Sequence, residues 1–430
     1  MVVEEAQQIL EIGLQFHIRA FEFFGQSYHF PCGFKDRLVT LSLPEIDIES
    51  AIRKPTSHNP AHRDSGSELL EGLHGHIYDI EDNCCSAGAA DHKSRWSAPP
   101  VVKRAIIRAM LKVAALLLAA MTAHAAVKIE KTSYKGWPNC YRITNGEVEL
   151  IVTGDIGPRI MRYAFVGGQN FFKEFPEGLG KSGETAWVAR GGHRIWAAPE
   201  DAVRTYAPDN GPVHIEIKGD VLEATEPVEP LTGLEKQIVV KLSPQGTGVE
   251  VLHRIRNAGK QPLELAPWAL TMMAQGGVGI HGFPPRGKHP EVLYPTNPLV
   301  MWAFSNLSDH RWRFTRKYLM LHQDPKNPEP QKLGSFNKNT WAAYALNSGL
   351  FIKRYDAQDS PRNYPDFGCS FETFTNADFL EMETLGPLQH LKPGASLQHV
   401  EHWTLHKDVR LRNFTDEELD RLVLPLVGAR

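Results

Sequence analysis

From Val127 onward the chain alternates apolar and polar residues in short runs, each closed by turn formers. Glu147–Val152 alternates before Gly154, and Val213, Ile215 and Ile217 alternate with His214, Glu216 and Lys218. Ile238, Val240 and Leu242 precede Ser243–Gly246, and Val249–Ile255 alternates before Asn257–Gly259. The same rhythm returns at Trp341–Leu346, Gly349–Arg354, Phe379–Thr384 and Gln398–Leu405. A period of two puts successive side chains on opposite faces, so each run reads as a half-buried antiparallel strand. So many short strands predict an all-β fold, a large antiparallel two-sheet sandwich in one domain. The Pro-rich stretches Gly282–Pro298 and Asp324–Pro330 read as insertions between strands. One short C-terminal helix is expected as a brace. Thr415-Asp416-Glu417-Glu418 forms a capping box, and Leu419, Leu422, Val423 and Leu426 supply an apolar side.

Upstream the pattern differs. Met110-Leu111-Lys112 leads into an apolar run, Val113 to Ala123, that ends at Ala123-His124-Ala125. A charged start, a short apolar stretch and small residues at a cut site predict a secretory signal peptide over 110–125, removed before Ala126. The run is shorter than the roughly 20 residues that span a bilayer as a helix. Residues 126–430 would then be exported to the periplasm or the extracellular space, with no stable membrane span after cleavage. Residues 1–109 show no sustained period of 2 or 3.6. They read either as an over-extended start, with the natural protein beginning at Met110, or as a mostly non-globular leader with one helix near Glu4–Phe24.

The formal net charge is -3, so no basic excess points to nucleic acid. No Walker-type loop, dinucleotide fingerprint or G-x-S-x-G elbow occurs, so neither a phosphate-binding cofactor nor a serine hydrolase is expected. The five cysteines include no C-x-x-C pair. After export only Cys140 and Cys369 would remain, either paired or as two buried thiols. His399, Glu401 and His402 suggest a metal only superficially, because His399 and His402 fall on opposite faces of a regular strand. No metal or other cofactor is expected.

A series of segments in order resembles the galactose mutarotase-like supersandwich superfamily, closest to an exported bacterial branch. Gly154-Asp155-Ile156-Gly157-Pro158-Arg159-Ile160 resembles its early turn. Gly191-Gly192-His193-Arg194-Ile195-Trp196 resembles the segment whose arginine contacts sugar. His253–Leu263 resembles the central strand with its N-x-G-x-x-P turn, and Phe379–Pro387 resembles the strand that carries the general base. The resemblance spans roughly residues 130–407. It implies a mutarotase-type supersandwich, a carbohydrate or glycan as partner, and aldose 1-epimerase chemistry with Glu383 as base. One departure stands out. Where that superfamily places its acid histidine, this chain has Ala266-Pro267-Trp268-Ala269-Leu270-Thr271.

Interconversion of sugar anomers needs a base for the anomeric hydroxyl and an acid for the ring oxygen, with tuned pKa values in one cleft. Glu383 is the candidate base, and Glu381 lies on the same strand face about 7 Å away. The bland alternative is a solvated face with two ordinary glutamates. His193, after a Gly-Gly pair that permits close approach to a ligand, is the candidate substitute acid. Arg194 is positioned to donate paired hydrogen bonds to sugar hydroxyls, or to brace a loop by pairing with Glu200 or Asp201. Trp268, Trp196 and Trp302 are candidate ring platforms, and His281 follows a glycine-rich loop. Asp309-His310-Arg311 and Glu372 are polar clusters near strand ends that either bind ligand or form surface pairs, and surface pairs are the preferred reading. Two functions follow: a sugar-binding protein that has lost the acid, or an active isomerase with Glu383 and His193.

Overall fold

The computed structural model describes residues 126–428 apart from Asp359. The expected leader over 1–109 and signal peptide over 110–125 lie outside the described residues. Among these residues the chain forms two large antiparallel sheets and a short helical C-terminus. No helix among them is long and apolar enough to cross a membrane.

The larger sheet has eleven strands. Its first half is a meander of Lys128–Tyr134, Trp137–Thr144, Val148–Thr153 and Arg159–Phe165. It continues through His193–Ala198, Leu263–Met273, Leu380–Leu385, Phe371–Thr375, Gln331–Ser335 and Leu299–Met301. Gln389–Leu391 pairs separately with the start of Leu263–Met273. The ten-stranded sheet runs from Trp312–Phe314 through Tyr318–His322, Val278–Gly282, Trp341–Leu346 and Gly349–Tyr355. Ser396–Lys407, Val249–Asn257, Leu234–Leu242, Val221–Thr225 and His214–Lys218 complete it.

Alternation along the strands explains where the core sits. Leu150, Val152, Ile195, Ala269, Leu380 and Met382 of one sheet meet Ile238, Val251, Phe351, Leu397 and Trp403 of the other in one buried cluster. The intervening residues of each strand therefore face away from the inter-sheet layer. The turn after the Val249–Asn257 strand is pinned by the buried Asn257 side chain. Its amide donates to the carbonyls of Gln261 (2.8 Å) and Leu391 (2.9 Å), and its oxygen accepts from Gly259 N–H (2.9 Å). The helix Asp416–Leu422 starts where Thr415 Oγ1 accepts from Glu418 N–H. Leu419 and Val423 then cover Val278, Ile280, Tyr318 and Trp341 on the outer side of the smaller sheet, so this helix is the brace expected.

Of the two alternatives left open for Cys140 and Cys369, the buried thiols hold: both are free and buried. Two sequence expectations are corrected. Asp309 and Arg311 are not a surface pair. Arg311 is fully buried, with its guanidinium on Asp309 (2.8 and 3.0 Å) and on the carbonyls of Asn327 and Glu329, so it anchors a loop. The glycines at 191 and 192 do not open space for a ligand. Both have positive φ (82° and 69°), and an added Cβ would meet the Lys173 carbonyl oxygen at 2.0 Å and that of Ile160 at 2.5 Å. Their freedom brings backbone against backbone and starts the next strand at His193.

Candidate functional site

The outer face of the larger sheet gathers ionisable groups from four of five adjacent strands. Pairing register builds the arrangement directly. Arg194 sits opposite Leu270, Leu270 opposite Glu383, Glu383 opposite Glu372, and Glu372 opposite Gly334. Strands are spaced at about 4.8 Å, so these residues form one row across the sheet. A neighbouring row holds Trp196, Trp268 and Leu385. On the other side lies the row Met272, Glu381, Phe374 and Lys332.

Side chains tie the rows together. Lys332 Nζ lies 2.8 Å from Glu372 Oε2 and 3.0 Å from Glu383 Oε2. The same Glu383 oxygen accepts from the Trp268 indole N–H at 2.8 Å. The ammonium also sits over two indole faces, 4.9 Å from the Trp268 ring and 4.6 Å from that of Trp302. Gly334 makes room here, since a Cβ on it would meet Cys369 Sγ at 2.5 Å and crowd Trp302 and Glu372. Arg194 stacks on Trp196, its guanidinium carbon 3.6 Å from the ring centre, with Trp187 at 4.9 Å. Trp196 and Trp268 meet edge to face with ring centres 5.4 Å apart.

Burial sets the charges. Glu372 is held well above the usual carboxylate range by burial, which with the Glu383 charge outweighs the pull of Lys332. Glu381 is pushed up to about 8 by burial and by Glu383, against the pull of Arg194. Burial pulls Lys332 down, but the Glu372 and Glu383 carboxylates outweigh it and hold the ammonium above its ordinary range. Arg194 is lowered to about 10 by burial and by Arg159.

The polar atoms of this face are incompletely used. Arg194 Nε and Nη1, Glu381 Oε1, Glu383 Oε1 and Glu372 Oε1 are buried without a hydrogen-bond partner in the protein. Each such group costs about 1–3 kcal/mol. Gathered on one patch of one sheet face, they leave hydrogen-bonding capacity for polar partners from outside the chain, water included.

The inner face tells a different story, and it corrects the role given to His193. His193 and Arg194 are neighbours in a regular strand, so they point to opposite faces. Arg194 faces outward, whereas His193 is buried between the sheets with its Nε2 2.6 Å from His253 Nε2 and its Nδ1 2.8 Å from Thr271 Oγ1. It shares no face with Glu383 and is not the substitute acid. His281 is also internal. It packs 5.1 Å from the Phe371 ring, and burial lowers its pKa to about 4. Of the predicted site residues, the outer face brings together Arg194, Trp196, Trp268, Glu381 and Glu383. It adds Glu372, which was expected in a surface pair, and Lys332, which the sequence did not single out. Trp302 joins through its contact with Lys332.

Around His193 runs a closed network. Lys353 Nζ donates to Glu401 Oε1 (2.8 Å), Thr271 Oγ1 (2.7 Å) and the Met382 carbonyl (3.1 Å). Glu401 also accepts from Trp403 Nε1 (2.8 Å) and from Thr384 Oγ1 (2.5 Å). His253 Nδ1 faces the His399 carbonyl at 3.0 Å and must donate to it. Burial lowers the pKa of both His193 and His253, so both rings are neutral. His253 Nε2 is then the acceptor, His193 Nε2 the donor, and Thr271 donates to His193 Nδ1. Donor atoms of His193, His253 and Glu401 lie within 4.8 Å of one another, a spacing a metal ion could use. Here those atoms face hydrogen-bond partners, and a lysine ammonium already sits on Glu401. His399 does share this inner side, with Nε2 2.7 Å from Thr384 Oγ1, while His402 is largely exposed.

No family model and no curated protein matches this chain. Solved structures similar to it include a protein from Synechocystis sp. PCC 6803, at 14% identity and a TM-score of 0.41 over 65% of this chain and 99% of that one. A galactose mutarotase-like protein from Lactobacillus casei is 12% identical, with a TM-score of 0.39 over 62% of this chain and 100% of that one. A galactose mutarotase related enzyme from Lactobacillus acidophilus is 11% identical, with a TM-score of 0.39 over 64% and 98%.

Proposed function

We propose that the outer face of the larger sheet binds a carbohydrate ring, in a protein exported after cleavage before Ala126. The observation that carries the binding site is the set of buried, unpartnered atoms on Arg194, Glu372, Glu381 and Glu383 beside the indoles of Trp196 and Trp268. Sugar hydroxyls donate and accept, so they match a mixed set of guanidinium and carboxyl groups. The apolar face of a pyranose matches an indole. Arg194→Ala should weaken binding at least tenfold, because two unpartnered N–H donors are lost together. Screening the protein on a glycan array, followed by titration of each hit against tryptophan fluorescence, tests this. The reading fails if no glycan binds, or if Arg194→Ala binds as tightly as wild type.

Export rests on the three-part pattern of Met110–Ala125. Mass spectrometry of the protein from its native host should find Ala126 as the first residue. A peptide from within residues 1–109 in the mature protein would overturn this.

A second reading, an aldose 1-epimerase-type isomerase, is favoured by the state of Glu383. Its Oε2 holds two donors while the buried Oε1 has no hydrogen-bond partner. With His193 on the opposite face, that reading needs another acid.

A further inference from the structure

We infer that Glu372 is that acid: Glu372 and Glu383, bridged by Lys332, form a proton donor and acceptor pair acting on the cyclic hemiacetal of a reducing aldose. The inference rests on the carbohydrate-binding reading above and assigns chemistry to the same site.

The geometry comes from the sheet. Glu372 and Glu383 are direct cross-strand partners on the outer face, so their carboxyls emerge side by side. Two carboxyls that close do not both ionise readily. Lys332 lies between them, within hydrogen-bond distance of both. What breaks the symmetry is Trp268, whose indole N–H adds a second donor to Glu383 only. The donor set therefore places Glu383 to accept a proton and Glu372, held above the usual carboxylate range, to supply one. Each keeps its Oε1 without a partner in the protein. Trp268, standing where a histidine acid was expected, thus donates to the base, and the acid comes from the next strand.

The step balances without a co-reactant. Glu383 takes the proton of the anomeric hydroxyl, and the C1 carbonyl forms as the bond from C1 to the ring oxygen breaks. The ring oxygen takes the proton of Glu372. Rotation about C1–C2 and reversal of the same transfers close the ring as the other anomer, and both carboxyls return to their starting states.

The groups that set the protonation of Glu372 are Lys332, Glu383 and Asp366, with the Cys369 thiol beside it. The acid arm should fail once Glu372 loses its proton, so the rate should fall as pH rises through the raised Glu372 value. Polarimetry of freshly dissolved α-D-galactose and α-D-glucose measures anomer equilibration, and tryptophan fluorescence measures binding of the same sugars. Glu372→Gln keeps the shape but cannot deliver a proton. At saturating sugar it should slow equilibration about 100-fold. Glu372→Asp should recover part of the rate. A Glu372→Gln variant that equilibrates either sugar at the wild-type rate overturns the assignment. A wild-type protein that binds these sugars and does not accelerate equilibration also overturns it, and leaves carbohydrate binding standing. Should Glu372→Gln not fold, Glu372→Asp decides: a rate unchanged from wild type overturns the proposal.

Discussion

Replacing Lys353 by methionine should destabilise the protein by about 3–5 kcal/mol, because it leaves the Glu401 carboxylate buried without its counter-ion. Both side chains are fully enclosed between the sheets. In the wild type, burial raises Glu401, but the charge and hydrogen bond of Lys353 outweigh it, so the carboxyl sits below its usual range. Without Lys353 only Trp403 and Thr384 still donate to it. The carboxyl then escapes the penalty by taking up a proton, so its folded pKa rises above the unfolded value. The deficit of the variant is therefore greatest above that raised pKa and shrinks as pH falls towards the ordinary carboxylate range. Urea unfolding of wild type and Lys353→Met at pH 8 and pH 5.5 measures both parts. A loss under about 1 kcal/mol at pH 8 would mean that the pair does not hold the sheets together.

The strands were legible because the period-two rhythm is strong and Gly, Pro and Asn close each run. The common face of Glu381 and Glu383 follows from the same rule. So, in retrospect, does the fate of His193. Residues 193 and 194 are consecutive, and once Arg194 faces the site His193 cannot. Reading Gly191–Gly192 as a ligand loop hid this, because it left open where the strand begins. The structure shows that the glycines press against the backbone at Lys173 and Ile160, and that the strand starts immediately after them. Lys332 and Glu372 were hidden for another reason. They join Glu383 only through the order of three strands, and that order is a long-range property of the sheet. Phe371-Glu372-Thr373-Phe374-Thr375 carries a weak alternation that marks Glu372 as facing away from Phe371. Nothing in Gln331-Lys332-Leu333-Gly334-Ser335 marks its lysine.

The outer face carries a cost that a second variant exposes. Glu381 is nearly enclosed, and burial with the Glu383 charge pushes its folded pKa up to about 8 from an unfolded value near 4.5. Below pH 4.5 the carboxyl is protonated in both states and costs nothing. Between the two values the unfolded chain gives up its proton while the folded protein keeps it, so stability falls as pH rises through this window. Above about pH 8 the folded protein holds an ionised Glu381 at full penalty, roughly 3–5 kcal/mol by the size of the shift. Glutamine has the same shape without the ionisation. Glu381→Gln should therefore match the wild type at pH 4.5 and exceed its stability by roughly that amount at pH 9, in urea unfolding followed by tryptophan fluorescence. A difference that does not grow with pH would mean that Glu381 ionises freely. A residue kept at such a cost, with Oε1 unpartnered and Arg194 drawing on its charge, fits a surface shaped for a ligand better than one shaped for stability. The same substitution should weaken carbohydrate binding while it strengthens the fold, and that opposition separates a binding residue from a structural one.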